Sequence, residues 1–245
     1  MFINLPILSQ RDPRWNKILL GFNTNTYTIG SHGCLVTCLT AIANYFGAND
    51  TPDTVNSKLK AVKGFANGGF YRWGSIEQVF PMLDEVWKGR YPNVLSDGDI
   101  KLIKDSIDAG KPVMCEIDMS PATAVPDQHF VVFIAYNRRD ENDFTIMDPW
   151  DGKIKSLKTY LSGTKPTARK TILQVIIYAW SIPTDNSGTE ALRKQIEVLS
   201  AANKSLESEK EVFRDRITKS ESEYNQKLTD FRNNVIKAVN SVSTQ

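Results

Sequence analysis

Apolar residues after Gly33 recur at helical spacing. Leu35, Cys38, Leu39, Ile42, Tyr45 and Phe46 mark one face of a helix that Gly47 would end. Thr51-Pro52-Asp53 has the cap and proline that open a second helix. A third amphipathic stretch runs from Asp97 through Ala109 and closes at Gly110. Further on the period shortens. Residues 112–118, 129–137, 144–148 and 171–182 are rich in β-branched and aromatic side chains and bounded by turn formers, as strands are. Helices first and a largely antiparallel sheet afterwards is the α+β order.

The pattern changes again near residue 183. Pro183-Thr184-Asp185-Asn186-Ser187-Gly188 is a linker by its residue types. From Thr189 to Gln245 there is no Gly, Pro, Trp or Cys, and the stretch reads as one long helix. Leu192, Ile196, Leu199, Asn203, Leu206, Lys210, Phe213 and Ile217 follow 4-3 heptad spacing. After a stutter at Ser220 the seam continues through Tyr224, Leu228, Phe231, Val235, Ala238 and Val242. The expected organisation is therefore a mixed domain over 1–183, a linker over 184–188 and a helical coiled-coil tail over 189–245. Such a stripe needs a partner helix, so the tail is expected to form a homo-oligomer or to dock another protein. A solvated helix folded back on its own domain is the alternative.

Composition narrows the function. The 245 residues carry 30 basic and 28 acidic side chains, a net charge of +2 that gives no reason to expect nucleic acid or an anionic membrane surface. No apolar run reaches membrane-spanning length, and the start Met1-Phe2-Ile3-Asn4-Leu5-Pro6 lacks the features of a signal peptide. A cytoplasmic or phage-particle-associated protein is expected. Three cysteines, Cys34, Cys38 and Cys115, make no disulfide framework.

Candidate chemistry centres on Cys34. A helix N-terminus is where a thiol most readily becomes a thiolate, and Gly33 lets other groups approach the sulfur. A buried structural cysteine is the competing reading. The chain has two histidines, His32 and His129. His129 opens the apolar strand Phe130-Val131-Val132-Phe133-Ile134, where it is a satisfied core group, a surface residue or a working base. The next strand ends at Asp148, and in an antiparallel pair the start of one strand lies beside the end of the other. His129 and Asp148 thus fall at one end of a hairpin, where the carboxylate would orient the ring. With Cys34 they form a nucleophile, base and orienter set. Gln10 is the candidate second oxyanion donor beside the Cys34 N–H. His32, Cys34 and Cys38 lack a fourth ligand and zinc spacing, so no metal or cofactor is expected. Tyr71, Trp73 and Trp150 are candidate cleft aromatics.

Four motifs taken together carry a resemblance. They are Leu8-Ser9-Gln10-Arg11-Asp12-Pro13-Arg14-Trp15, Thr28-Ile29-Gly30-Ser31-His32-Gly33-Cys34-Leu35-Val36-Thr37, Gln128-His129-Phe130-Val131-Val132 and Met147-Asp148-Pro149-Trp150-Asp151-Gly152. In order and spacing they resemble the bacterial and phage cysteine peptidases related to bacteriocin-processing (double-glycine leader) peptidases, within the papain-like superfamily. The resemblance spans about residues 5–180. It implies a papain-like fold, with Cys34 as nucleophile, His129 as base, Asp148 as orienter and Gln10 as oxyanion donor. It also implies a peptide, protein or peptidoglycan substrate. A peptidoglycan-cleaving hydrolase with the same site, or a non-catalytic oligomerising protein, are the alternative functions.

Overall fold

Six antiparallel strands form one sheet, which shares the core with the helices and the N-terminal segment. In the computed structural model, described residues are 2–23, 26–66, 69–91, 94–119, 127–163 and 166–181, then 210, 213–214, 217–229 and 231–232. Internal contacts divide the chain into two units, Met1–Ile182 and Pro183–Gln245. In the first unit the order is α1 (Ile29–His32), α2 (Cys34–Tyr45), α3 (Pro52–Ala61), α4 (Ile76–Val79), β1 (Leu83–Arg90), α5 (Asp97–Asp108), β2 (Val113–Asp118), β3 (Gln128–Tyr136), β4 (Phe144–Asp148), β5 (Lys153–Ser156), a 3-10 turn (Leu157–Tyr160), α6 (Ala168–Thr171) and β6 (Ile172–Trp180). The strands lie in the order β1-β6-β2-β3-β4-β5.

Local signals account for the caps. Thr51 and Thr54 form a capping box at α3, with Pro52 at its first position. The Ser96 hydroxyl accepts the Asp99 N–H while the Asp99 carboxylate accepts the Ser96 N–H, and Gly110 leaves α5 at φ 72°. Gly47 takes φ 100° just beyond the end of α2.

Among the departures from the pattern-based expectation, two concern long elements. The spacing gives α2 one apolar face, yet every residue from Val36 to Ala43 is buried. The helix is held between β3 and α3, so both sides are covered. Small Ala41 and Ala43 suit such close quarters, and Thr40 satisfies its hydroxyl by donating to the Val36 carbonyl at 2.8 Å. The second departure is β1, which the apolar pattern does not signal. Its sequence LDEVWKGR is half charged because only alternate positions turn inward, and a bulge between Glu85 and Trp87 shifts its pairing register. It pairs with β6 at the sheet edge.

In the second unit residues 217–229 are helical, as are 210, 213–214 and 231–232. Phe213, Ile217, Tyr224, Leu228 and Phe231 are exposed there. The helix-helix pairing of a coiled coil is not seen in these residues. The other expected seam positions from Leu192 to Leu206 and from Val235 to Val242, with the linker 184–188, lie outside the described residues. Among the described residues no helix is long and apolar enough to cross a membrane.

Candidate active site

Cys34 is the first residue of α2, and Gly33 caps that helix. Two helices meet at this point. The Thr28 side chain accepts the Ser31 N–H at the start of α1, and α1 ends where α2 begins. Gly33 has no room for a side chain, since a Cβ would lie 2.5 Å from the Ile29 carbonyl oxygen. The joint therefore fixes where α2 starts and leaves the Cys34 N–H among the helix donors without an intrahelical acceptor. Cys34 is partly exposed, whereas Cys38 and Cys115 are fully buried and burial pushes their thiols well up.

His129, at the start of β3, is 3% exposed and donates from Nε2 to Asp148 Oδ1 at 2.8 Å. Asp148 ends β4 and is completely buried. Its two oxygens receive further donors. The Trp150 N–H reaches Oδ1 at 2.9 Å, while Lys155 Nζ at 2.7 Å and the Tyr160 hydroxyl at 2.5 Å reach Oδ2. Burial works against the carboxylate, but the hydrogen bonds from His129, Lys155 and Tyr160 outweigh it and hold Asp148 well below the usual range. Burial likewise pulls His129 down, and it is overcome by hydrogen bonds to Asp148 and to the Cys34 side chain. The ring is pushed up to about 9. Because Nε2 is engaged by Asp148, Nδ1 is the nitrogen left to face the sulfur.

Gln10 is 1% exposed. Its backbone N–H donates to the Pro149 carbonyl at 2.7 Å, and its amide donates to the Gly30 carbonyl at 3.1 Å. Nearby, Gly152 takes φ 64°, and a Cβ there would lie 2.8 Å from Ser9 Cβ. The turn after Asp148 is thereby packed onto the segment carrying Gln10. A cavity of about 350 Å³ has Gln10, Cys34 and His129 in its wall, with Phe65, Tyr71 and Phe130 among its apolar lining and Trp150 also lining it. Asp148 stands behind His129.

Of the expected cleft aromatics, Tyr71 and Trp150 line this cavity. Trp73 is not among its lining residues and packs against Phe130, with ring centroids 6.2 Å apart. His32 also lines the cavity, its Nδ1 paired with the Ser31 hydroxyl at 2.8 Å and its ring 4.1 Å from that of Tyr27. Among the described residues no group of His, Cys, Asp and Glu is arranged to hold a metal ion.

Lys155 and Tyr160 escaped the sequence reading. The one available signal was Lys155 in a charged four-residue strand directly after the Gly152 turn. Its contact with Asp148 follows from the β4–β5 register, which sets Asp148 opposite Lys153 and brings Lys155 alongside on the same strand.

The model of the Peptidase_C39 like family matches residues 2–165. No curated protein matches the chain. Among solved structures, one from Bacillus anthracis described as a C39-like peptidase is 15% identical, with 68% of this chain and 96% of that chain covered and a TM-score of 0.38.

Proposed function

The chain belongs to the Peptidase_C39 like family, a family of cysteine peptidases, and we propose that it hydrolyses a peptide or amide bond through Cys34, His129 and Asp148 within a papain-like fold. The observation that carries this reading is His129 hydrogen-bonded to buried Asp148 on one side and facing Cys34 at a helix start on the other. An imidazolium held to about pH 9 is a fitting counter-ion for a thiolate. The sulfur attacks the scissile carbonyl carbon and the carbonyl electron pair moves onto oxygen. That oxyanion is met by the Cys34 N–H and by the Gln10 amide hydrogen not engaged by Gly30. When the C–N bond breaks, His129 gives its proton to the leaving amine and a thioester remains. His129, now neutral, takes a proton from water as the hydroxyl attacks the thioester. The acid leaves and the thiolate–imidazolium pair is restored. Asp148 stays ionised throughout and holds the ring by Nε2.

Selective alkylation tests the nucleophile. Iodoacetamide is expected to label Cys34 in the folded protein well before Cys38 or Cys115, as read by peptide mass spectrometry over time. Equal labelling of all three thiols would overturn the assignment.

For the rest of the chain the proposal is a peptidase domain over 1–183, a linker over 184–188 and a self-associating helical tail over 189–245. Its support is the exposed apolar side chains of Ile217, Tyr224, Leu228 and Phe231, which share the heptad seam. Sedimentation of the full chain is expected to give an oligomer, and Tyr224→Glu/Leu228→Glu to return it to the 27.6 kDa of one chain. A wild-type protein already sedimenting at that mass would count against self-association.

A further inference from the structure

Beyond Trp150 the candidate cleft does not end. A second, open groove of about 410 Å³ shares Ser31 and Trp150 with the first cavity, and so continues it past the Gln10 side. Its lining includes Arg11, Lys17, Asn16 and the backbone of Gly30, and contains no acidic residue. Gly30 is also the residue whose carbonyl accepts the Gln10 amide, which ties the groove floor to the proposed oxyanion donor. Arg11 is held over the Trp150 ring, its Cζ 4.7 Å from the centroid. Neither Arg11 nor Lys17 forms an ion pair among the described residues. The nearest carboxylates in sequence are already engaged, Asp12 by Arg14 at 2.8 Å and Asp151 by Lys155 at 3.0 Å.

The direction of a bound substrate follows from the chemistry. The scissile oxygen must face Gln10 and the leaving nitrogen must face His129. The chain on the leaving side therefore exits between those two groups, where Trp150 and then Arg11 form the wall. The acyl side runs the other way, toward Phe65, Tyr71 and Met119. An extended chain advances about 3.3–3.6 Å per residue, so the first three leaving-side residues span about 10 Å.

We propose that the groove formed by Arg11, Lys17 and Trp150 is a leaving-side subsite for a carboxylate, supplied by an acidic side chain or by the substrate's own C-terminus. The inference rests on the thiol-hydrolase reading for its place in the reaction, while the anion preference stands on the groove itself. Two cations that form no ion pair among the described residues, one of them fixed by an aromatic face, give charge-assisted hydrogen bonds to a carboxylate and repel a lysine.

The test uses the full chain and a synthetic peptide library, with cleavage positions read by mass spectrometry. The best peptide is then remade with Asp, Asn or Lys at the first three leaving-side positions, and with a C-terminal acid or amide. Wild-type kcat/KM is expected to fall about tenfold from Asp to Asn, and further for Lys. Arg11→Gln/Lys17→Gln should erase that order, and Arg11→Glu/Lys17→Glu should invert it. The acid–amide comparison separates a C-terminal carboxylate from an acidic side chain. Raising salt from 0.1 to 1 M, which shortens the screening length from about 10 to about 3 Å, should shrink the preference. An unchanged order in the charge-reversed protein would overturn the subsite. Binding to Cys34→Ala keeps this outcome separate from the fate of the hydrolase reading. Fluorescent tripeptides carrying Asp should bind more tightly than those carrying Lys, and lose that advantage with Arg11→Gln/Lys17→Gln added. If no library peptide is cut but this preference holds, the hydrolase reading fails and the subsite stands. Equal binding of Asp and Lys tripeptides sinks the subsite.

Discussion

Cys34→Ala is expected to reduce hydrolysis by about 10⁴-fold or more, with the fold intact, because the mechanism loses its only nucleophile. The side chain is partly exposed at the first position of α2, where alanine is well tolerated, so stability should change by less than about 1 kcal/mol. The same variant carries a second readout. The Cys34 side chain contributes to holding His129 up at about 9, so its removal should bring the His129 titration down. The chain has two histidines, His32 and His129, so their imidazole NMR signals can be followed against pH without crowding. Undiminished activity, or a His129 titration that ignores the substitution, would remove Cys34 from the site.

Asp148→Asn is the second large expectation, a loss of about 10⁴-fold in kcat with a smaller change in KM. An amide has one acceptor oxygen where the carboxylate has two. In one orientation its NH₂ meets His129 and the Trp150 N–H, and in the other it meets Lys155 and Tyr160. The Tyr160 hydroxyl can rotate to accept, but an ammonium cannot. The ring therefore loses its orienting partner or Lys155 loses a principal one. The stability cost should be about 1–3 kcal/mol, tempered because Lys155 keeps Asp151 and is 21% exposed.

The pH dependence has a definite sign. The Asp148 pKa is depressed in the folded protein, so its stabilisation is present above the ordinary value near 3.9 and is lost as pH falls below it. The His129 pKa is raised to about 9, so its stabilisation is full below about 6.5 and is lost as pH rises through 9. Denaturant midpoints of the wild type should thus decline on both sides, and Asp148→Asn should flatten both limbs. A wild-type midpoint constant from pH 6 to 10 would contradict the charged pair.

Much of the first unit was legible because its signals are local. Caps and turn residues announced α3 and α5, with Pro52 and Gly110 at their proper ends. Runs of β-branched and aromatic residues announced β2, β3, β4 and β6, since buried central strands need little polar alternation. Strand order alone put His129 and Asp148 at one hairpin end, and 2.8 Å separates their bonded atoms. The heptad of the tail was equally local, but a repeat identifies an apolar face without saying what covers it.

Other features depended on residues distant in the chain. Period could not show that α2 is covered on both sides, because burial of its second side depends on α3. The charged edge strand β1 has its place through pairing with β6, some ninety positions later. Gln10 meets the Asp148 turn through Gly152 against Ser9, a contact no short window contains. Lys155 and Tyr160 reach Asp148 only once the β4–β5 register and the 3-10 turn are in place. The sequence by itself determined where the long helices and the central strands lie, and which residue types were available for thiol chemistry. The tertiary structure alone decided which polar groups share a buried carboxylate, because that depends on sheet register and on which surfaces exclude water.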